Sequence, residues 1–284
     1  DDTNLFFNAP SVDECIAKIN YEMANIVRWI RCNKLSLNID KTNYIIFNRC
    51  RKPTAHPTIY IEGMTIKRVL SIKFLGVIID DKLSWREHVD YIRGKISRSI
   101  GVLYRARPLL SQQSLIQLYY AFIYPYLNYC VDVWGHCSQG VFRSLFVMQK
   151  KAIRIISNSK RLDHTEPIFK SLKILPLLSI YILSILTFMF KHYHQFLTSV
   201  CYELFTANSS IHQIATRQQL LLHPPRLSSS FDKKSIRYRG AFYWNQISNI
   251  VVDINNISVH TFKNKLKFKL LFSPQMPFQV TSIQ

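Results

Sequence analysis

Few residues in this chain combine a type and a spacing that could do chemistry. Asp1 and Asp2 stand side by side ahead of a short apolar run, Leu5-Phe6-Phe7. Paired carboxylates are hard oxygen ligands of the kind Mg²⁺ prefers, but an octahedral ion wants more oxygens than two side chains supply. Without further context they read equally well as two solvated charges. Lys41, in Leu37-Asn38-Ile39-Asp40-Lys41-Thr42, precedes the apolar run Tyr44-Ile45-Ile46-Phe47. On its own it reads as a solvated lysine in the loop before a strand. Phe74-Leu75-Gly76 places a glycine inside an apolar run. Such a glycine lets another backbone approach closely, or marks a bulge in a buried strand. Cys130, His136 and Cys137 are close in sequence, yet no Cys-x2-Cys pair accompanies them, so buried thiols are the expectation rather than a zinc site.

The elements that must position these residues can be read from periodicity. Ser11 with Glu14 three residues on is a capping box, and Ile16, Ile19, Met23, Ile26, Val27 and Ile30 follow at helical spacing. A helix from about Val12 to Cys32 is predicted. Short apolar runs at Tyr44–Phe47, Thr58–Ile61, Met64–Ile66 and Phe74–Ile79, with turn residues between them, predict strands and a hairpin around Glu62-Gly63. Ser84 and Glu87 repeat the capping pattern before Val89, Ile92, Ile96, Ile100 and Leu103, and from there the chain reads as helical. Boundaries are expected near Lys82 and, more softly, near Leu222, with Pro224 to Ser230 as a linker. Lys263, Lys265, Lys267 and Lys269 alternate with apolar residues, so that segment reads either as an edge strand or as a basic helix docked by Phe262, Leu266 and Leu270.

The net charge of +20 points to a polyanionic partner, nucleic acid before an anionic membrane surface. Arg86, Arg93, Lys95, Arg98, Arg105 and Arg107 fall on or beside one predicted helix, and Arg143, Lys150, Lys151, Arg154, Lys160 and Arg161 mark a second. Such helices can follow a duplex backbone and read its shape rather than its sequence. The run from Ile174 to Phe190 has no charged residue, but a membrane span needs about 20 apolar residues, and Pro176, Ser179, Ser184 and Thr187 interrupt it. A buried helix is the expectation, and a membrane partner is not. The sparse cysteines read as reduced thiols of a nuclear or cytoplasmic, unsecreted protein.

Taken in order, Asp1-Asp2-Thr3-Asn4-Leu5-Phe6-Phe7, Leu37 to Thr42 and Lys73 to Asp80 resemble the last three conserved blocks of a reverse transcriptase palm, in the non-LTR, jockey-like branch. Leu83 to His88, Leu118 to Cys130, Val133-Trp134-Gly135, Gln149 to Arg154, Ile174-Leu175-Pro176 and Trp244-Asn245 extend the resemblance into the thumb and post-thumb region. The resemblance implies an α+β fold. Residues 1–82 would be the C-terminal half of a polymerase palm, with a few strands plus helices. Residues 83–222 would be a mainly α-helical thumb-like region, and 223–284 a basic C-terminal region.

It also implies an RNA-directed DNA polymerase that adds nucleotides with two metal ions, Mg²⁺ or Mn²⁺. In an intact parent Asp1 and Asp2 would be catalytic metal ligands, Lys41 would serve the leaving pyrophosphate, and Phe74, Leu75 and Gly76 would be the primer grip. Arg93, Lys95, Arg98, Arg105, Arg107, Lys150, Lys151 and Arg154 would bind nucleic acid. Partners would be an RNA template, an RNA–DNA or DNA duplex, and dNTPs. The Phe/Tyr-Ala that the family places before its Asp pair, and its earlier palm aspartate, have no match in this chain. The expectation is therefore a C-terminal portion, separated from its N-terminal polymerase segment, that by itself binds no metal and extends no primer. Two other readings stand beside it: a non-catalytic nucleic-acid-binding protein derived from a transposon, and a membrane-associated helical protein.

Overall fold

A computed structural model describes residues 3–47, 58–211, 221–226, 232–247 and 257–272. The architecture is α+β, with short strands confined to two-stranded sheets and helices elsewhere. The chain divides into two compact units, Asp1–His88 and Val89–Gln284.

In the first unit, helix α1 spans Val12–Cys32. The Ser11 side chain accepts from the Glu14 N–H at 3.2 Å, the N-cap bond that the sequence predicts, while the Glu14 carboxylate takes the Ser11 hydroxyl at 3.0 Å rather than its backbone N–H. Met23 on α1 packs with Ile59, Ile61 and Ile66, and Ile19, Ile26, Val27, Leu37, Ile39 and Tyr44 close around them. This is a small core formed by one helix face and one sheet face. Strands β1 (Asn43–Tyr44) and β4 (Lys67–Arg68) pair in parallel, while β2 (Tyr60–Ile61) and β3 (Met64–Thr65) form an antiparallel hairpin. The hairpin turns at Glu62-Gly63, both with positive φ (53° and 76°), which is the twist-matching type I′ pattern. Of the expected Tyr44–Phe47 strand only Tyr44 is paired, because β4 is two residues long.

The Phe74–Ile79 run is two strands rather than one. β5 (Ser71–Phe74) and β6 (Val77–Asp80) are antiparallel, with Leu75-Gly76 as the turn between them. Gly76 is therefore a turn residue (φ 84°) and not a bulge.

In the second unit, the apolar face predicted for α2 (Arg86–Ala106) is buried at Val89, Ile92, Ile96, Ile100 and Leu103. Helices α3 (Gln112–Phe122), α4 (Tyr124–Asn128), α5 (Val131–Trp134), α6 (Gln139–Ile156) and α7 (Thr165–Ser171) lead to α8 (Leu177–Tyr193). Helix α8 carries no charged residue before Lys191, its few hydroxyls form no polar face, and it lies against α4, α5, α6, α10 (Ile236–Ile247) and α11 (Val259–Phe272). A helix without a polar face belongs in the middle of a core. Among the described residues no helix is long and apolar enough to cross a membrane.

The Lys263–Lys269 segment is helical. Phe262, Leu266 and Leu271 are its buried residues, while Leu270, expected to dock the helix, is half-buried. Lys160 and Arg161 lie in a turn beyond the end of α6 rather than on it. The expected linker at Pro224 to Ser230 falls partly outside the described residues.

Candidate nucleic-acid interface

Asp1 and Asp2 lie outside the described residues. Four residues beyond Asp2, Phe6 meets the Phe74 ring edge-on at 6.3 Å, so the chain that follows the carboxylate pair runs beside the β5–β6 hairpin. Lys41 is exposed on a 3-10 turn, Ile39–Lys41, directly before β1. Asn38 shapes that turn. Its side-chain oxygen accepts from the Lys41 N–H at 3.1 Å, and its carbonyl accepts from the Thr42 hydroxyl at 2.8 Å. The Leu-Asn-x-x-Lys-Thr spacing is thus the sequence of a capped turn, which presents Lys41 to solvent whatever its chemical role.

Leu75 stands at the tip of the β5–β6 hairpin, 73 % exposed and with a left-handed φ of 45°. A branched apolar residue in that conformation costs about 1–2 kcal/mol, and a two-residue turn prefers Asn, Asp or Gly there. The hairpin therefore holds out an apolar side chain at a position where neither folding nor solvation favours one.

After β6 the chain is fastened by a residue the sequence reading did not single out. Asp80 is buried, and its carboxylate accepts from the N–H groups of Lys82 (3.2 Å), Ser84 (2.9 Å) and Trp85 (2.8 Å). Ser84, the expected cap, accepts from the Arg86 N–H at 3.4 Å, a long and weak contact. Asp80 binds first because its charged oxygens satisfy several donors at once. Nearby, His88 is buried and its Nδ1 accepts from the Ile78 N–H at 3.3 Å. Burial pushes its pKa down to about 4.

In the second unit, eleven lysines and arginines stand against one carboxylate, Asp132, between Tyr91 and Leu162. The structure separates the basic residues by what each already holds. Arg154 forks onto the Asp163 carbonyl through Nε and a terminal nitrogen at 3.1 and 2.9 Å, so it fastens the loop after α6. Arg93 is paired with Asp90 at 2.8 Å, both largely exposed. Lys95 lies over the Tyr91 ring at 5.3 Å, Arg107 over Tyr104 at 5.8 Å and Lys150 over Phe146 at 4.4 Å. Arg98 reaches back to the Gly94 carbonyl at 3.3 Å. Arg98, Arg105 and Lys151 are exposed. Arg98 and Arg105 are seven residues apart, on one side of α2 and away from its buried face.

The framework below α6 turns on Gln149, fully buried. Its amide nitrogen donates to the Tyr119 hydroxyl and to the Leu175 carbonyl, both at 2.9 Å, and its oxygen accepts from the Leu177 N–H at 2.8 Å.

Of the two thiols expected to be buried, Cys130 is only half-buried. Cys137 is buried and burial pushes its thiol up to about 11. Burial, with Arg239 and Lys234 adding repulsion, pushes His136 down to about 4. Two neighbouring cations oppose the binding of a third. Among the described residues no group of three or more His, Cys, Asp or Glu could hold a metal ion.

No family model matches the chain and no solved structure matches it. Curated proteins do. A probable RNA-directed DNA polymerase from transposon X-element of Drosophila melanogaster is 24% identical over 149 residues, 51% of this chain and 16% of that protein. RNA-directed DNA polymerases from mobile element jockey are 27% identical over 151 residues in Drosophila funebris (52% of this chain, 16% of that protein) and 23% identical over 178 residues in Drosophila melanogaster (61% and 19%). The chain spans less than a fifth of the length of these relatives. Over half or more of its own length it is related to the RNA-directed DNA polymerases of non-LTR, jockey-like retrotransposons.

Proposed function

We propose that this chain is the nucleic-acid-holding part of a retrotransposon RNA-directed DNA polymerase, gripping an RNA–DNA or DNA duplex along the basic outer sides of α2 and α6. The observation that carries this reading is the near absence of acid between Tyr91 and Leu162, with Arg98, Arg105 and Lys151 exposed on helices whose other faces are buried. Each phosphate neutralised releases condensed counterions, so binding is expected to fall steeply as salt rises. Leu75 at its hairpin tip and Lys41 on its capped turn are read as surfaces inherited from primer and nucleotide handling.

DNA synthesis, with its RNA template, dNTPs and Mg²⁺ or Mn²⁺, is read as the property of a longer polymerase.

Fluorescence anisotropy with a labelled RNA–DNA hybrid tests the proposal. The chain is expected to bind at low salt, with affinity dropping at least tenfold when Arg98→Glu and Arg105→Glu are combined. An intact, folded chain that ignores the hybrid at low salt would overturn it.

A further inference from the structure

At the C-terminal end of α8 a cavity of about 270 Å³ is lined by Met189, His192, Tyr193, Gln195, Tyr202 and Trp244, with Leu222 completing the wall. Its walls are aromatic. The Tyr193 and Trp244 rings lie 5.8 Å apart with 38° between their planes, and His192 and Tyr202 lie 5.7 Å apart. Burial holds the His192 pKa below its ordinary value, so at neutral pH the ring is an uncharged wall. Its Nε2 is shielded from solvent and has no hydrogen-bond partner among the described residues.

The walls are also fixed in place. Asn245 clamps Leu222 in both directions, its oxygen accepting from the Leu222 N–H at 3.0 Å and its nitrogen donating to the Leu222 carbonyl at 2.8 Å. The Tyr202 hydroxyl donates to the Leu197 carbonyl at 2.6 Å and accepts from the Leu197 N–H at 2.9 Å. Tyr193, 52 % exposed, is where the cavity wall meets solvent.

We propose that this cavity takes one unstacked base of a single-stranded nucleic acid, the base stacking on the half-exposed Tyr193 ring, which Trp244 backs from the buried side, with its edge offered to the exposed Gln195. Size supports one ring system: pockets for whole small molecules run from about 300 to 1,000 Å³. Aromatic walls with few polar atoms accept any base, because every base has a π-face. A base arrives attached to phosphates, and the net charge of +20 draws such a strand in, whereas an apolar side chain of another protein gains nothing from that field. The inference rests on the nucleic-acid reading above, but on a different ligand form and different residues.

The test compares the chain with its Tyr193→Ala variant on three probes: a short oligoadenylate, the same strand made abasic, and an RNA–DNA hybrid. Tyr193→Ala is expected to weaken oligoadenylate about tenfold, with abasic-strand and hybrid affinities unchanged. The half-exposed position leaves the fold intact, which circular dichroism checks. Unchanged oligoadenylate binding overturns the proposal. So does an equal loss on the abasic strand, or a response of the Tyr193 and Trp244 ring resonances to a phenylalanine-containing peptide in place of oligoadenylate. A chain that shows the Tyr193 effect yet ignores the hybrid supports the base pocket and refutes the duplex reading.

Discussion

Gln149 and Tyr119 meet side chain to side chain at 2.9 Å in a site closed to solvent, and the same carboxamide also holds the Leu175 carbonyl and the Leu177 N–H. One amide thereby joins α3, α6 and the start of α8, the places where three stretches of family resemblance fall. Burial raises the Tyr119 pKa, so the phenol stays neutral and accepts the bond. Replacing Gln149 by Leu would strand three buried polar groups, each costing about 1–3 kcal/mol. The expected loss is at least about 3 kcal/mol in urea unfolding, against about 1 kcal/mol for Tyr119→Phe. Equal effects of the two substitutions would mean that the carboxamide is not the hub.

The Asp80 carboxylate gathers three N–H groups across a segment in which Leu83 and Trp85 both have positive φ (50° and 63°). Asp80→Ala should cost about 2 kcal/mol, and it should speed hydrogen exchange at the Ser84 and Trp85 amides. Leu83→Gly should be neutral or stabilising, since glycine adopts that conformation without penalty.

Glycine substitutions should separate by location. A Cβ on Gly135 would sit 2.4 Å from Tyr181 Cδ2 and from the Val131 carbonyl oxygen, while one on Gly94 or Gly101 would meet nothing within 4 Å. Gly135→Ala is expected to destabilise by about 1–3 kcal/mol. Gly94→Ala should stabilise α2 by roughly 0.5–1 kcal/mol. Thermal midpoints of the two variants on either side of the parent would bear this out, and a shift in the same direction would not.

The turn at Leu75-Gly76 gives a stability and binding trade. Leu75→Asn suits a left-handed turn position and should raise stability by about 1 kcal/mol. If the exposed leucine serves a primer strand, the same variant should bind hybrid more weakly; unchanged hybrid affinity would remove Leu75 from the interface.

Acid should weaken the fold through His88 and His136, both held down to about 4. The unfolded chain takes up these protons near 6.5 and the folded chain near 4, so between those values the unfolded state binds more protons. Stability is full above about pH 6.5 and declines as pH falls toward 4. Urea midpoints measured from pH 7.5 down to 4.5 should fall, and His88→Asn should flatten part of that slope.

Much of this architecture was legible because local chemistry dictated it. Ser11 and Glu14 mark the start of α1, and Val89 to Leu103 recur along one face of α2, because capping and periodicity act over a few residues. The β1–β4 pair was not, since parallel pairing of two-residue strands leaves no period in the sequence. Leu75 looked like strand because its side chain is apolar, while the backbone makes it a turn. Asp80, rather than Ser84, fastens the segment that leads into α2, through contacts that spacing rules do not count. The cavity at the end of α8 draws on residues from Met189 to Trp244, so no motif announces it.

Helix α8 also sets a timetable for synthesis. Two of the elements that cover it, α10 and α11, follow it in the chain, and α11 ends at Phe272. At roughly 5–20 residues per second, the roughly 80 residues after Tyr193 take on the order of 4–16 s to emerge. Throughout that interval the most apolar of the described helices is on the ribosome without its lid, a window in which a chaperone would have the most to hold.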